Sequence, residues 1–291
     1  MAVFQSGIGN SSADAEVPKQ GTLRALMEQS LIDERFRGID RLYGTGSVAR
    51  LARAHVCVVG IGGVGSWAVE ALARSGLGRL TLIDADEICI SNTNRQLHAL
   101  DGEFGKPKVA AMAARLRAIN PRIEVDAVEE FVTPSNLVGL LDRGYDLVID
   151  ACDAFRVKVE TIAWCRRRKL SLITCGSAGG RTDPTLIAVR DLSKTEHDAM
   201  LALVRKKLRE EFNFPRGPKR YFGVQAVYSR ENVRYPQADG SVCGTRPGHG
   251  EALKLDCGTG LGAATHVTAA FAFAAVSRAL SKLLSGVAAG S

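Results

Sequence analysis

Short apolar runs alternate with segments of helical pattern from residue 55 to about residue 175. Residues 55–59 and 80–84 are predicted strands because they are short, apolar and rich in β-branched side chains, and residues 66–75 between them form a predicted helix. The alternation continues with helix 107–119, strand 123–128, helix 133–141, strand 146–150, helix 157–168 and strand 170–175. This order is typical of an α/β fold with a doubly wound, Rossmann-like and mostly parallel sheet.

The regular alternation ends near Asp191, where polar and glycine-rich segments begin. A charged helix is predicted over 198–212 and a strand-like segment over 223–229, before a glycine-rich stretch at 239–262. We therefore predict a flexible N-terminal extension (1–30), one α/β domain (31–285) and a tail (286–291). The irregular segment 191–260 belongs to that domain and is expected to face the substrate.

The last predicted helix lies within an apolar stretch from residue 258 to 284, which also contains Thr265, His266, Thr268 and Arg278. These polar residues favour a buried or amphipathic helix that closes the domain. A membrane span, or association with a membrane surface, is the alternative. Residues 1–20 lack the apolar core of a secretory signal, so we expect a cytoplasmic protein.

The composition is that of an ordinary globular protein, with 291 residues, 46% hydrophobic and 24% charged. Seven cysteines are scattered without a C-x-x-C pair, which argues against a structural zinc site of that type. The net charge of +7 favours an anionic partner such as a nucleotide or RNA, although a solvated basic surface would also explain it. Basic residues cluster at 166–169, 205–207 and 216–220.

These basic clusters are candidate contacts for RNA phosphates, because lysine and arginine side chains bind phosphates without reading the base sequence. For residues 166–169 the alternative is complementation of a helix dipole by cations at its C-terminus. We expect an RNA partner and no DNA.

A glycine loop with the pattern G-x-G-x-x-G lies between the first predicted strand and helix. Its glycines are Gly60, Gly62, Gly63 and Gly65, and Asp84 follows about twenty residues later. Such a loop lets the backbone approach phosphates at a helix N-terminus, and the acidic residue can accept hydrogen bonds from ribose hydroxyls. The alternative is a tight turn without a nucleotide.

The segment after Asp84 favours a triphosphate over a dinucleotide. It contains Asp86, Asn92, Arg95 and Lys108, and the two cations would neutralise additional phosphate charge. No G-x-x-x-x-G-K-[ST] motif is present, which excludes a P-loop enzyme. We therefore expect ATP as the bound nucleotide.

Asp153 follows a predicted central strand, at the edge where open α/β sheets bind ligands. A carboxylate in this place is suited to Mg²⁺, with phosphate oxygens completing the coordination shell. The structural alternative is that Asp153 is a helix N-cap.

Taken together, the run from Arg35 to about Val189 resembles the superfamily of ThiF, MoeB and the ubiquitin-activating E1 enzymes. The resemblance implies that Gly63 lies against the phosphates, Asp84 holds the ribose, Arg95 and Lys108 bind phosphates, and Asp153 binds Mg²⁺ with Asn92 nearby. The implied catalytic residues are Asp153, Arg95 and Lys108. The implied chemistry is attack of a carboxylate on the α-phosphorus of ATP, which gives an acyl adenylate and pyrophosphate.

Longer sequence segments are similar to one branch of the superfamily, the bacterial tRNA threonylcarbamoyladenosine dehydratases. These segments cover residues 35–44, 57–67, 92–100, 176–185, 235–243 and 256–265. The resemblance implies ATP-dependent activation of the carboxylate of threonylcarbamoyladenosine next to the tRNA anticodon, then ring closure with net loss of water. It also suggests a homodimer, a sulfur-transfer partner (a cysteine desulfurase and its acceptor), and a monovalent cation.

The sequence departs from the superfamily in three respects. It lacks the zinc-binding C-x-x-C pairs of many ThiF and MoeB members. Gly38 stands where an arginine that reaches the partner's active site is expected, and Arg37 or Arg41 is a candidate replacement. The late motif reads Cys152-Asp153-Ala154 where many members have Thr-Asp-Asn, which removes one polar contact.

Three alternatives remain from the sequence. Cys243 could carry an E1-like thioester or a persulfide, with Cys175 and Cys257 as weaker candidates. The protein could instead adenylate a ubiquitin-like sulfur carrier, which predicts pyrophosphate exchange that depends on a protein carboxylate. A non-catalytic module of the same fold would bind ATP without turnover.

Overall fold

A computed structural model describes residues 34–217, 219–237, 239–245 and 261–285. The predicted N-terminal extension, the tail, Cys257 and much of the glycine-rich stretch lie outside the described residues. The described part begins with a helical segment at 34–43 (α1) and a short helix, α2 (Ser47–Leu51), which lead into the first strand.

Strands and helices alternate through the centre of the chain. The strands are β1 (His55–Val59), β2 (Arg79–Ile83), β3 (Glu124–Val128), β4 (Leu147–Asp150), β5 (Ser171–Cys175), β6 (Ile187–Asp191), β7 (Gln225–Ser229), β8 (Tyr235–Pro236) and β9 (Val242–Cys243). The longer helices are α3 (Gly65–Arg74), α4 (Lys108–Ile119), α5 (Leu137–Leu141), α6 (Phe155–Arg168), α7 (Ala199–Glu211) and α8 (Thr265–Leu283).

Seven strands form one sheet in the order β3-β2-β1-β4-β5-β7-β6. Neighbouring strands from β3 to β7 are parallel, and only β6 pairs antiparallel, with β7. The order reverses direction between β1 and β4, which is the topological switch point at which open α/β sheets bind ligands. The predicted doubly wound, mostly parallel fold is confirmed.

Several elements differ from the prediction, among them the short strands β8 and β9 and the helices before β1, which were not predicted. The sequence also did not predict β6, because its residues are only half-buried at the sheet edge and lack the continuous apolar pattern of the central strands. The helix predicted over 133–141 forms only from Leu137 to Leu141. Thr133 is instead held in a turn, where its backbone N–H donates to Oδ1 of Asn136 at 2.7 Å.

Helices cover both faces of the sheet and divide the core in two. On one face, α3, α4 and α8 pack on the central strands, and on the other face α5, α6 and α7 do so. Helix α8 buries Phe271, Ala275 and Ala279, so its apolar residues are explained by packing against the domain. Among the described residues, no helix is long and apolar enough to cross a membrane.

Candidate active site

The glycine loop between β1 and α3 requires glycine at two positions, Gly60 and Gly65, for steric reasons. Gly60 has a φ of 86°, and its N–H donates to the carbonyl of Ile83 at 2.9 Å. A Cβ atom on Gly65 would lie 1.8 Å from the carbonyl oxygen of Gly60, so no larger residue fits. The loop therefore folds tightly over the start of α3, whose N-terminus can receive a phosphate.

Asp84 follows β2 and is tied directly to this loop. Its Oδ2 accepts the backbone N–H of Ile61 at 2.6 Å, and its Oδ1 accepts the N–H of Asp86 at 2.9 Å. Burial raises the pKa of the Asp84 carboxyl, against the attraction of Lys108. The carboxylate is thus fixed beside the loop, in the place where the sequence predicts a contact with ribose.

Lys108 and Asp86 form an ion pair next to Asp84. The Nζ of Lys108 lies 2.7 Å from Oδ2 of Asp86. The lysine side chain is only 6% exposed whereas the aspartate is 52% exposed, so the pair sits at the rim of the site with its cation inside. A phosphate entering the site would meet a cation that is already in place.

Arg95 lies on the other side of the glycine loop. A Cβ atom on Gly63 would lie 3.5 Å from its Cγ. The guanidinium donates to the carbonyl of Ser91 at 2.8 Å and to Oδ1 of Asn94 at 2.9 Å, both exposed contacts. These exposed contacts leave the guanidinium next to the loop and able to turn towards a phosphate.

Asn92, another predicted ligand contact, is buried. Its Oδ1 accepts the backbone N–H of Cys89 at 3.0 Å, within the 3₁₀ turn Ile90–Asn92. The carbonyl oxygen of this side chain is therefore used to shape the loop that carries Arg95.

Asp153 lies in the loop between β4 and α6, which abuts the glycine loop. A Cβ atom on Gly60 would lie 2.9 Å from the Cα of Cys152, so the neighbouring Asp153 is at the same edge. Asp153 is exposed and makes no hydrogen bond within the described residues. The alternative that it caps α6 is wrong, because Ala154 is the N-cap residue and no side chain caps that helix.

A buried ion pair under this loop was not predicted. The Nζ of Lys158 lies 2.7 Å from Oδ2 of Asp150, and both side chains are fully buried. The hydroxyl of Thr174 donates to the same oxygen at 2.7 Å. Burial disfavours the charged form of Lys158, but the attraction of Asp150 outweighs it and raises the pKa. The network anchors the strand end that presents Asp153.

His98 is a second buried polar residue that the sequence did not identify. Its Nε2 lies 3.1 Å from Oε1 of Gln96, whose amide nitrogen faces Gly62. Burial, together with the charge of Lys108, lowers the pKa of His98 to about 4. A neutral imidazole therefore holds the Gln96 amide against the glycine loop.

The start of α8 completes this region from the far end of the chain. The hydroxyl of Thr265 donates to the carbonyl of Asn94 at 2.6 Å, and Asn94 Nδ2 donates to the carbonyl of Ala263 at 2.8 Å. Thr268 contacts both Gly63 and the carbonyl of Arg95. Two threonines spaced by three residues at the start of an apolar helix were the available sequence signal.

Two of the three basic clusters lie away from the nucleotide loop, and the third, 205–207, lies within α7. Helix α6 begins at the loop of Asp153 and has 14 residues, so residues 166–169 are about 17–21 Å away along its axis. In the cluster near β7, the Arg216 guanidinium donates to the carbonyl of Arg209 at 3.2 Å, close to the end of α7. Gly223 packs on the Arg166 guanidinium, so this part of the chain lies near the end of α6. Lys207 pairs with Glu211 at 2.7 Å.

The candidate thiols differ in their surroundings. Cys175 is buried at the end of β5, and burial raises its pKa to about 12, so the thiolate needed for nucleophilic attack is scarce. Cys243 is half-buried in β9 and lies opposite Tyr235. Cys257 lies outside the described residues.

The family is decided by a comparison over nearly the whole domain. A sequence model of the ThiF family matches residues 37–288. The chain belongs to the ThiF family. Within this family, the chain is 51% identical over 252 residues to the tRNA threonylcarbamoyladenosine dehydratase of Haemophilus influenzae, an alignment that covers 87% of this chain and 94% of the relative.

Comparison with solved structures gives the same relationship to the dehydratases. The Escherichia coli tRNA N6-threonylcarbamoyladenosine dehydratase in complex with ATP superposes with a TM-score of 0.78 at 46% identity, covering 89% of this chain and 97% of that one. The sulfur carrier protein adenylyltransferase of Thermus thermophilus is 40% identical, but over only 36% of this chain and 39% of its own. Similarity to the dehydratases thus covers most of the chain, whereas similarity to the adenylyltransferase covers about a third of it.

Proposed function

We propose that this ThiF-family protein is an ATP-dependent tRNA threonylcarbamoyladenosine dehydratase. The observation that carries the proposal is the identity of about one residue in two with a named dehydratase across 94% of that relative. The nucleotide edge supports the same chemistry, because the glycine loop, Asp84, Arg95, Lys108 and Asp153 meet there.

ATP would bind with its ribose at Asp84 and its phosphates along the glycine loop. The backbone N–H groups at the start of α3 and the cations of Arg95 and Lys108 face the phosphate charge. Asp84 is preorganised for this contact, since two backbone N–H groups already fix both of its oxygens.

The site fits Mg²⁺ if the nucleotide supplies most ligands. Within the described residues no group of three or more His, Cys, Asp or Glu side chains could hold a metal. Asp153 offers one exposed carboxylate, and Mg²⁺ is commonly held by one or two carboxylates together with substrate phosphates. When bound, the ion neutralises phosphate charge.

The reaction has two bond-forming steps. A carboxylate oxygen of the threonylcarbamoyl group attacks the α-phosphorus, and pyrophosphate leaves. An internal nucleophile of the same group then attacks the acyl carbon, loses its proton and expels AMP, so the nucleoside has lost one water. Positioning by the loops and charge stabilisation by Arg95 and Lys108 provide the catalysis.

A homodimer is also proposed, through the long loop between β2 and α4. This loop exposes Ile90 (76%), Leu100 (54%) and Phe104 (37%) beside the site. Exposed apolar surface on one loop is a candidate protein interface. Light scattering of the purified protein tests this, and Ile90→Asp with Leu100→Asp should give monomers.

The deciding experiment uses tRNA that carries threonylcarbamoyladenosine. The tRNA is incubated with the protein, ATP and Mg²⁺, digested gently and analysed by mass spectrometry. We expect loss of one water from that nucleoside only when ATP is present. No mass change with folded, ATP-binding protein would refute the dehydratase and favour the sulfur-carrier adenylating activity, which pyrophosphate exchange with a carrier protein would then reveal.

A further inference from the structure

A cavity of about 470 Å³ lies beside the nucleotide edge, at the N-terminus of α7. Asp198, which caps α7, also accepts the backbone N–H of Ser177 at 2.8 Å, two residues after the end of β5. Strand β5 is the neighbour of β4, and adjacent strands are about 4.8 Å apart. The N-terminus of α7 is therefore held at the sheet edge at which Asp153 lies, one strand to the side.

The lining combines the phenol ring of Tyr235 and the imidazole of His197 with several other polar groups. It includes His197, Asp198, Ala202, Arg205, Asn232 and Tyr235. The volume is within the usual range for small-molecule sites, about 300–1,000 Å³. An aromatic ring with nearby hydrogen-bonding groups is the surface on which proteins stack and read an unpaired base.

His197 is held in a strained conformation at the cavity wall. Its φ is 55°, in the left-handed region that non-glycine residues rarely adopt. The guanidinium of Arg181 donates to its carbonyl oxygen, and Nδ1 lies 2.9 Å from Oδ1 of Asn232. Strain kept in place by surrounding contacts is commonly found at ligand sites.

Arg181 itself is a second indication. The side chain is 2% exposed, yet its Nε and Nη1 have no hydrogen-bond partner within the described residues. Burial lowers the pKa of this arginine, and Asp198 and Glu231 partly compensate. A buried guanidinium with unused donors behind the wall of a polar cavity makes the environment favourable for a ligand with acceptor or anionic groups.

A second cavity, of about 410 Å³, lies on the other side of the segment 230–234. The two cavities share Asn232, Val233 and Gly244, while Arg230 and Arg234 line only the second. Arg230 is exposed and forms no ion pair with the residues that the structure describes. A base on one side of this segment would place its flanking phosphates near cations on the other.

We propose that the first cavity receives the modified adenine base of the substrate, flipped out of the anticodon loop, with adjacent backbone phosphates at Arg230 and Arg234. This inference rests on the proposed function and names the substrate subsite for it. The base stacks on Tyr235, and its threonylcarbamoyl group extends past the end of β5 towards Asp153. Enzymes that act on a base generally take it out of the stack in this way.

Occlusion of the cavity is the first test, with Ala202→Trp against Leu203→Trp. Both residues are exposed on α7, but only Ala202 lines the cavity, so both variants should fold. The substrate is an anticodon stem-loop that carries threonylcarbamoyladenosine. Ala202→Trp should lower kcat/KM for it at least about 10-fold, because at least one favourable contact is lost. Leu203→Trp should not, and ATP affinity should be unchanged in both.

The stacking contact is tested by Tyr235→Leu and Tyr235→Phe. Tyr235→Leu should raise KM for the stem-loop between about 5- and 100-fold, whereas Tyr235→Phe keeps the ring and should stay near wild type. Equal KM values for wild type, Ala202→Trp and Tyr235→Leu would overturn the subsite.

These outcomes separate the subsite from the function. If the wild-type protein removes water and both cavity variants keep normal kinetics, the dehydratase function stands and only the proposed subsite is refuted. A wild-type protein without dehydration refutes the proposed function, and the subsite with it.

Discussion

The Nζ of Lys108 and the Oδ2 of Asp86 are 2.7 Å apart, with the cation buried and the carboxylate half in solvent. A buried ammonium needs an anionic partner, and an exposed carboxylate can be rehydrated cheaply. Asp86 thus satisfies the charge of Lys108, which a phosphate of ATP would share. The pair keeps the cation in position before the nucleotide arrives.

The first prediction concerns this cation. Lys108→Met should raise the dissociation constant for ATP about 10- to 100-fold, because a charged hydrogen bond to phosphate is lost. Lys106→Met is the matched control, since Lys106 is exposed and pairs with Glu103. Calorimetric titration measures both, and equal affinity of the two variants would remove Lys108 from the phosphate site.

A second prediction concerns Asp153. In Asp153→Asn, ATP should still bind, while dehydration should slow about 100-fold or more because charge stabilisation in the transition state is weakened. Asp101→Asn, another exposed carboxylate, serves as the control. Single-turnover mass spectrometry gives the rate, and a wild-type rate in Asp153→Asn would exclude the residue from catalysis.

The buried pair of Asp150 and Lys158 should be a major determinant of stability. Asp150→Asn leaves a buried ammonium without its carboxylate and should cost about 3–5 kcal/mol. Asp142→Asn breaks a pair with Arg168 whose side chains are both more than half exposed, and should cost at most about 1 kcal/mol. Guanidinium unfolding curves give the free energy of unfolding of both variants. Similar losses in the two variants would show that the buried pair is not a major determinant of stability.

His98 gives a prediction for pH. Its pKa in the folded protein, about 4, is below the ordinary value of 6.5, so the unfolded chain takes up the proton first. Stability is therefore complete above pH 6.5 and falls by up to about 3 kcal/mol as pH drops towards 4. His98→Gln should lose part of this acid sensitivity and His266→Gln should keep it. Unfolding curves at several pH values give the free energy of unfolding of each variant. If this free energy depends on pH in the same way in wild type and His98→Gln, the prediction is wrong.

The last prediction concerns the thiols. The proposed ring closure needs no enzyme thioester, so Cys243→Ser and Cys257→Ser should retain dehydration in the mass-spectrometric assay. Accumulation of the adenylated substrate without ring closure in either variant would show that a thiol is required, and would favour the predicted sulfur-transfer partner.

The sequence alone determined the fold class and most strands, because buried central strands leave continuous apolar runs and the loop at residues 60–65 needs glycine for steric reasons. It also placed Asp84, Arg95, Lys108 and Asp153 at one sheet edge, since parallel strands end on the same side. The edge strand Ile187–Asp191 escaped prediction because its residues are only half-buried.

Contacts between distant segments were decided only by the tertiary structure. The pair of Asp150 with Lys158, the approach of Thr268 to Gly63, and the cavity beside Tyr235 each join residues whose distance in space is set by packing of the whole domain. The far position of residues 166–169 likewise follows from the length and direction of α6. Local pattern specifies elements and their order, whereas side-chain contacts across elements depend on how those elements pack.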